Sequence, residues 1–329
     1  MKILYVNSKS SDYVQDLTYT GLVKTFGFKN IIDYHWNRKY HVPYRKYPKN
    51  IGYVKNSFIL SLFNRSIKDI DYVFIGSSKV DCFERYLAVI DLIPKSVPIV
   101  LIDGGDSCAG IAKDLVAYNR PDLIEKVFAK RKIDYIFKRE YLINKKYDDN
   151  IFPLPMSFNY DRMPKIDYNL KYDVSFWAVE SHQIRKDALD LLKDKFDCAK
   201  NGTERNQKFS KYKRKGSEYL KELARCKIVL NFRGGGWDTM RYWETPSIGG
   251  FMISQKPGIV IPNNFRNDKE VVFCQDNLSD LTSLCEYYLK NDKKRDEIAK
   301  NAMLFSREYH TDKKRIEYIF SKITKGIKL

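Results

Sequence analysis

One stretch of this sequence concentrates the residue types that bind phosphate. Asn231-Phe232-Arg233-Gly234-Gly235-Gly236-Trp237-Asp238-Thr239-Met240-Arg241-Tyr242-Trp243-Glu244 follows an apolar, strand-like run and leads into a helical pattern. Three successive glycines bare their backbone N–H groups and let a ligand come close, and the helix that follows offers its positive end to an anion. Arg233 and Arg241 add charge-assisted contacts to phosphate. Glu244 suits sugar hydroxyls, and Asp238 and Thr239 complete the turn. A tight strand-to-helix turn with surface arginines would use some of the same residues, so the reading rests on glycine, charge and aromatic signals coinciding. The pattern G-x-x-x-x-G-K-[ST] is absent, which removes the main support for phosphoryl transfer from ATP. A G-x-G-x-x-G turn near an N-terminal strand is absent too, so a simple dehydrogenase fits poorly.

A second constellation is Ile102-Asp103-Gly104-Gly105-Asp106. A carboxylate at the end of an apolar strand, beside glycines, suits a general base that takes the proton from an attacking hydroxyl. Asp103 is the first candidate and Asp106 the reserve; helix capping and turn formation are the ordinary uses of such aspartates. The four histidines, His35, His41, His182 and His310, lack metal-ligand spacing. They read as structural or surface groups, although His182 stands close to Arg185. Trp237 can stack on a ligand, whereas Trp243 reads as core. The six cysteines form no C-x-x-C pair, and most lie in apolar segments, as buried thiols of a reduced protein do.

The elements that must position these residues alternate. Apolar runs at Lys2–Val6, Ile31–Tyr34, Tyr72–Gly76, Pro98–Ile102 and Tyr135–Lys138 read as strands. Helical spacing lies between them at Asp16–Phe26, Arg85–Leu92 and Asp122–Lys130. Prolines 153, 155 and 164 then break the periodicity, and the linker is placed between Ile151 and Pro164. A second series follows, with strands at Asp173–Trp177, Lys227–Phe232, Gly250–Ser254 and Val271–Phe273. Its helices are His182–Leu192, Glu218–Arg225, Arg241–Ile248, Leu278–Leu289, Asp292–Leu304 and Lys313–Lys325. Asn201–Ser217 is a polar, basic loop. Such alternation predicts doubly wound, mainly parallel α/β domains.

At Asn231–Glu244, with Gly249-Gly250 beyond it, the chain resembles the donor domain of GT-B glycosyltransferases, in particular the group similar to spore-coat maturation glycosyltransferases. The likeness runs on through Ile261-Pro262-Asn263-Asn264-Phe265 to His310-Thr311 and Arg315. Weaker matches lie at Asp12-Tyr13, Gly21-Leu22 and Phe137-Lys138-Arg139-Glu140. Asp173–Arg185 and Arg241–Glu244 also resemble donor-site pieces of bacteriophage DNA β-glucosyltransferase.

The resemblance implies two Rossmann-like domains facing across a cleft. Residues 1–155 would form the acceptor side and 156–312 the donor side, with a terminal helix at 313–329 placed to pack back on the first domain. It implies that Arg185 and Arg241 hold the donor pyrophosphate, that Glu244 holds the ribose, and that Asp103 is the base. The donor-binding set is then Arg185, Arg233, Gly234, Gly235, Gly236, Asp238, Thr239, Arg241 and Glu244. Many retaining relatives carry two glutamates eight positions apart. Here Gly236 stands where the first would be, with Asp238 as its nearest substitute, which leaves the stereochemistry open.

The expected activity is transfer of a sugar, from a UDP-sugar by the habit of these relatives, to a hydroxyl of a surface glycan, a lipid-linked sugar or a protein. The alternatives are transfer to modified bases of DNA and a non-catalytic binding module of the same fold. No obligatory cofactor or metal is expected, because arginines can do the work of a divalent ion. The net charge of +18 on 329 residues favours polyanionic partners. Arg38-Lys39-Tyr40-His41, Tyr44-Arg45-Lys46-Tyr47 and Lys211-Tyr212-Lys213-Arg214-Lys215 mix basic and aromatic residues, as contacts to phosphate backbones, anionic glycans or anionic membranes do. A solvated, lysine-rich surface is the plain alternative. MKILYV lacks the apolar stretch of a secretion signal, and no window is long enough to span a bilayer. The expected setting is cytoplasmic, at most peripheral to a membrane.

Overall fold

A computed structural model describes residues 1–43, 46–63, 65–117, 119–175, 179–199 and 216–323. Tyr44-Arg45, the end of the Asp173–Trp177 run, and Lys211–Lys215 with nearly all of the basic loop around it lie outside the described residues. The chain divides into two compact units, Met1–Asn159 with Asp312–Leu329, and Tyr160–Thr311.

The first unit is built on six parallel strands: β1 (Ile3–Val6), β2 (Ile31–Tyr34), β3 (Tyr72–Ile75), β4 (Ile99–Asp103), β5 (Tyr135–Lys138) and β6 (Ile151–Pro153), in the order β2-β1-β3-β4-β5-β6. Its helices are α1 (Tyr13–Phe26), α2 (Arg38–His41), α3 (Phe58–Phe63), α4 (Val80–Val89), α5 (Asp114–Ala117) and α6 (Asp122–Lys130). Strands β1 and β4 are buried along their whole length, which is why they read as unbroken apolar runs rather than alternating ones. α1 begins ahead of its apolar periodicity because Asp12 caps it, accepting from the Gln15 N–H at 3.0 Å. Gly27 ends it at φ 82°. Strand β6 falls inside the segment read as a linker. Among the described residues it pairs only with β5, and the edge of a sheet is where a proline such as Pro153 can close a strand.

The second unit holds four parallel strands, β7 (Tyr172–Ser175), β8 (Cys226–Asn231), β9 (Met252–Gln255) and β10 (Val272–Cys274), in the order β10-β9-β8-β7. Around them run α7 (Gln183–Leu192), α8 (Gly216–Leu223), α9 (Met240–Ser247), α10 (Leu281–Lys290) and α11 (Asp292–Tyr309). α10 starts later than its sequence pattern because Leu278 has φ 60° and cannot continue a right-handed helix. The core of this unit gathers Val174, Ile228, Leu230 and Ile253 from the sheet with Leu189, Leu192, Leu281 and Ile298 from the helices.

The last helix, α12 (Asp312–Ile323), belongs to the first unit. It lies on α1, where Asp312 accepts from Thr20 Oγ1 at 2.7 Å and pairs with Lys24 at 2.7 Å. Gly21 makes the close approach possible: a Cβ there would clash with the Asp312 carbonyl oxygen. Arg315 anchors the helix by donating to the Pro155 and Met156 carbonyls, each at 3.1 Å.

Candidate functional site

In the second unit, β8 ends at Asn231 and the glycine turn carries the chain to the first turn of α9, with Thr239 at its N-cap. Arg185 reaches the turn from α7. Its guanidinium donates to the Phe232 carbonyl at 3.0 Å, to the Val179 carbonyl at 2.8 Å and to Ser181 Oγ at 3.1 Å. Arg241, buried at the start of α9, donates to the Leu230 carbonyl at 3.4 Å, and its Nε has no hydrogen-bond partner. Burial first, and Arg241 second, push the pKa of Arg185 down to about 9. Arg185 therefore stays charged at neutral pH while Arg241 repels it in a desolvated place. An arrangement of that kind is relieved by an anion.

Arg233 lies with its guanidinium 4.2 Å from the centre of the Trp237 ring, and its Nε has no hydrogen-bond partner. The stacking leaves the edge of the guanidinium for a planar acceptor. His182 caps α7, taking the Ile184 N–H on Nδ1 at 3.3 Å. Burial lowers the pKa of His182, and Arg233 and then Arg185 lower it further, so it belongs to the same positive field. Glu244 is buried, and its Oε2 accepts from Tyr219 of α8 at 3.1 Å. Burial, followed by Glu244, raises the pKa of Tyr219, which stays a neutral hydroxyl. Tyr219 is the residue that sequence reasoning passed over. The only signal for it was an aromatic on a short helix between two strands.

The glycines have distinct uses. Gly234 N–H closes the turn onto the Gly236 carbonyl at 2.9 Å. A Cβ on Gly234 would stand 2.9 Å from Arg185 Nη2 and 3.0 Å from Ser181 Oγ. Both atoms end side chains, so the fold can give way while the guanidinium is displaced. Gly234→Ala is therefore expected to weaken UDP binding by about 1 kcal/mol or more, part of one charged hydrogen bond, with little change in thermal midpoint. Calorimetry on the folded variant checks it, and unchanged affinity counts against a role for Arg185. Gly235 is exposed.

Two members of the expected donor set are placed to build the turn. Asp238 is buried and its Oδ1 takes the Trp243 indole N–H at 2.7 Å, while Thr239 Oγ1 donates to Asn231 Oδ1 at 2.6 Å. Asp238 thus fixes a fully buried tryptophan, which leaves it poorly placed to substitute for a glutamate. Trp243 packs against Phe265 and His310, with centroids 6.2 and 5.0 Å away, so both it and His310 are core groups.

The two candidate bases separate clearly in the first unit. Asp103 ends β4 opposite Lys138 of β5, and the pair is buried with Nζ and Oδ2 3.0 Å apart. Lys138 Nζ also donates to the Ser107 and Gly110 carbonyls at 2.8 and 2.9 Å. Asp103 therefore holds the ammonium that holds the loop. Asp106 on that loop has a side chain 62% exposed and pairs with Arg139, whose guanidinium also donates to the Gly104 carbonyl at 3.2 Å. Gly104 fits against the cap of α1: a Cβ there would meet Asp12 Oδ1 at 2.8 Å. Among the described residues, no group of three or more His, Cys, Asp or Glu is arranged to hold a metal ion.

Two parallel, doubly wound units, the second carrying a positive turn between strand and helix, have the architecture of the GT-B glycosyltransferases. Residues 185–321, which hold the turn, α9 and the helices beyond, match the glycosyl transferase-like family model. No curated protein sequence gives a significant match. Among solved structures, an α-glucosyltransferase in complex with UDP-glucose and DNA containing an abasic site is similar at TM-score 0.59 and 10% identity, over 99% of this chain and 100% of that one. Anabaena Alr3699/HepE in complex with UDP-glucose is similar at TM-score 0.56 and 8% identity, over 98% and 99% of the two chains. A glycosyltransferase from Rickettsia africae follows at TM-score 0.53 and 12% identity, over 99% of each. The fold is GT-B, and the resemblance drawn from Asn231–Glu244 is borne out. The DNA-bound neighbour is an α-glucosyltransferase, whereas the residue blocks resemble a β-glucosyltransferase.

Proposed function

We propose that the protein transfers a sugar from a nucleoside-diphosphate sugar, UDP-linked, to an acceptor hydroxyl. The observation that carries this reading is the convergence of Arg185, Arg233 and Arg241 on one glycine turn at the start of α9, two of them buried. Binding the diphosphate there would neutralise charges that the fold has already desolvated. The same groups would stabilise the departing nucleoside diphosphate as the glycosidic bond breaks. Glu244, its carboxylate steadied by Tyr219, would receive the ribose hydroxyls. The three arginines supply the countercharge a divalent ion would bring, so no obligatory metal is proposed. UDP is favoured as the nucleotide because the similar α-glucosyltransferase and HepE structures contain UDP-glucose.

For the acceptor, a hydroxyl of a surface glycan, a lipid-linked sugar or a protein is proposed first. A hydroxylated base in DNA is the second reading, supported by the net charge of +18 and by the DNA in the neighbouring complex. A silent binding module has no support from the complete arginine and glutamate set.

The experiment is a panel of nucleotide-sugars with release of nucleoside diphosphate as readout, repeated with glycan and hydroxymethylated-DNA acceptors. UDP-sugar turnover that depends on one acceptor class is the expected result. Failure of every nucleoside diphosphate to bind in calorimetry would overturn the donor-site reading. Binding without turnover on any acceptor would favour the silent module.

A further inference from the structure

α3 reverses the usual pattern of a surface helix. Phe58, Ile59, Leu60, Leu62 and Phe63 are 45, 68, 48, 50 and 83% exposed, while the one polar residue among them, Ser61, is 1% exposed. Ser61 Oγ accepts from Trp36 Nε1 at 2.7 Å and donates to the Phe58 carbonyl at 2.7 Å. The helix is thus tied down through its serine and presents its apolar side chains to the surroundings. An ordinary surface helix does the opposite, and a contiguous apolar patch on a folded unit marks an interaction site.

The sequence flanking α3 is equally one-sided in charge. From Tyr34 to Lys68 the chain has no Asp or Glu and eight Lys or Arg. Arg38, Lys46, Lys49, Lys55 and Lys68 are exposed. Lys39 pairs with Asp16 at 2.7 Å and Arg65 with Asp33 at 3.2 Å.

We propose that α3 seats the protein on an anionic lipid surface. Phe58, Ile59, Leu60, Leu62 and Phe63 enter the boundary between headgroups and acyl chains, and the surrounding lysines meet the headgroup phosphates. A second copy of the chain fits less well, because a two-fold contact through α3 would bring two acid-free basic runs together. Nucleic acid would satisfy the lysines but offers the aliphatic Ile59, Leu60 and Leu62 nothing to bury against. Among the described residues no helix is long and apolar enough to cross a membrane, so the mode is seating on a surface. The inference stands apart from the donor site, since its readout is lipid binding.

Flotation of the full chain with vesicles of phosphatidylcholine, with and without phosphatidylserine, tests it. The wild type is expected to float with the anionic vesicles, more weakly as salt rises, and to leave neutral vesicles largely free. The double change Ile59→Ser with Phe63→Ser should lower partitioning at least about tenfold. Because both side chains are exposed, it should leave the thermal midpoint in place. Lys46→Glu with Lys49→Glu and Lys55→Glu should remove the preference for anionic vesicles. The proposal is overturned if the wild type fails to float at low salt, or if the Ile59/Phe63 variant floats as well as the wild type. Sedimentation showing a dimer that this variant splits would assign the patch to a second copy. Duplex DNA binding lost in the variant, without vesicle binding, would assign it to nucleic acid.

Discussion

Asp106→Asn is expected to lower sugar-transfer turnover by about 10²–10⁴-fold, the range for loss of a general base, with donor affinity and thermal midpoint retained. The asparagine keeps the shape and loses proton acceptance. Asp106 is exposed and is held by Arg139, itself fixed to the Gly104 carbonyl, so its carboxylate is steadied without being enclosed. Asp103→Ala should behave in the opposite way. It strands the buried Lys138 ammonium, and breaking a buried ion pair costs about 3–5 kcal/mol. Chemical denaturation should show that loss, with the Ser107–Gly110 loop loosened because the same ammonium holds it. The double change Asp103→Leu with Lys138→Met should recover much of the stability, since it removes both charges together. A stable Asp103→Asn variant whose turnover falls at least a hundredfold, beside a near-normal Asp106→Asn, would return the role of base to Asp103. A product that keeps the donor's anomeric configuration would dismiss the single-base scheme for both residues.

The contrast between these two aspartates shows where sequence reasoning stops. The run Pro98–Ile102 announces its strand because every side chain in it must be buried, and it delivers a carboxylate to the strand's C-terminal end as expected. What that carboxylate meets is decided by register across the sheet, where Asp103 falls opposite Lys138. No local pattern carries that pairing, although a lysine closing the apolar run Tyr135–Phe137 hints that a buried charge needs a partner. The glycine turn was legible because glycine, arginine and aromatic residues coincide within one short stretch. Arg185 came from resemblance, and its convergence on the Phe232 carbonyl is tertiary. Tyr219 had no separable signal, since its bond to Glu244 joins residues 25 apart on two helices. Strand β6 was hidden by its own proline, which reads as punctuation until the strand is known to lie at an edge.

The buried arginines make a second prediction in which ligand binding and stability move apart. Arg241 is buried, its Nε lacks a hydrogen-bond partner, and its charge helps to lower the pKa of a second guanidinium, Arg185. Its bond to the Leu230 carbonyl is long at 3.4 Å, and it also hydrogen-bonds Tyr219. Arg241→Met keeps the stem of the side chain and removes the charge. UDP affinity should fall by about 1.5–3 kcal/mol, or roughly 10- to 150-fold, the scale of a charged hydrogen bond. The thermal midpoint of the ligand-free protein should hold or rise, because the like-charge repulsion inside the unit is gone. Saturating UDP should raise the midpoint of the wild type and raise that of the variant much less. Lysine at the same position should restore part of the affinity, since it returns the charge without the planar fork. Calorimetry and thermal melts on the wild type, Arg241→Met and Arg241→Lys decide the matter together. Unchanged UDP affinity in a folded Arg241→Met variant would remove Arg241 from the donor site. A large drop in its ligand-free midpoint would show instead that the guanidinium is a structural tie, and that the repulsion with Arg185 is already compensated in the free protein.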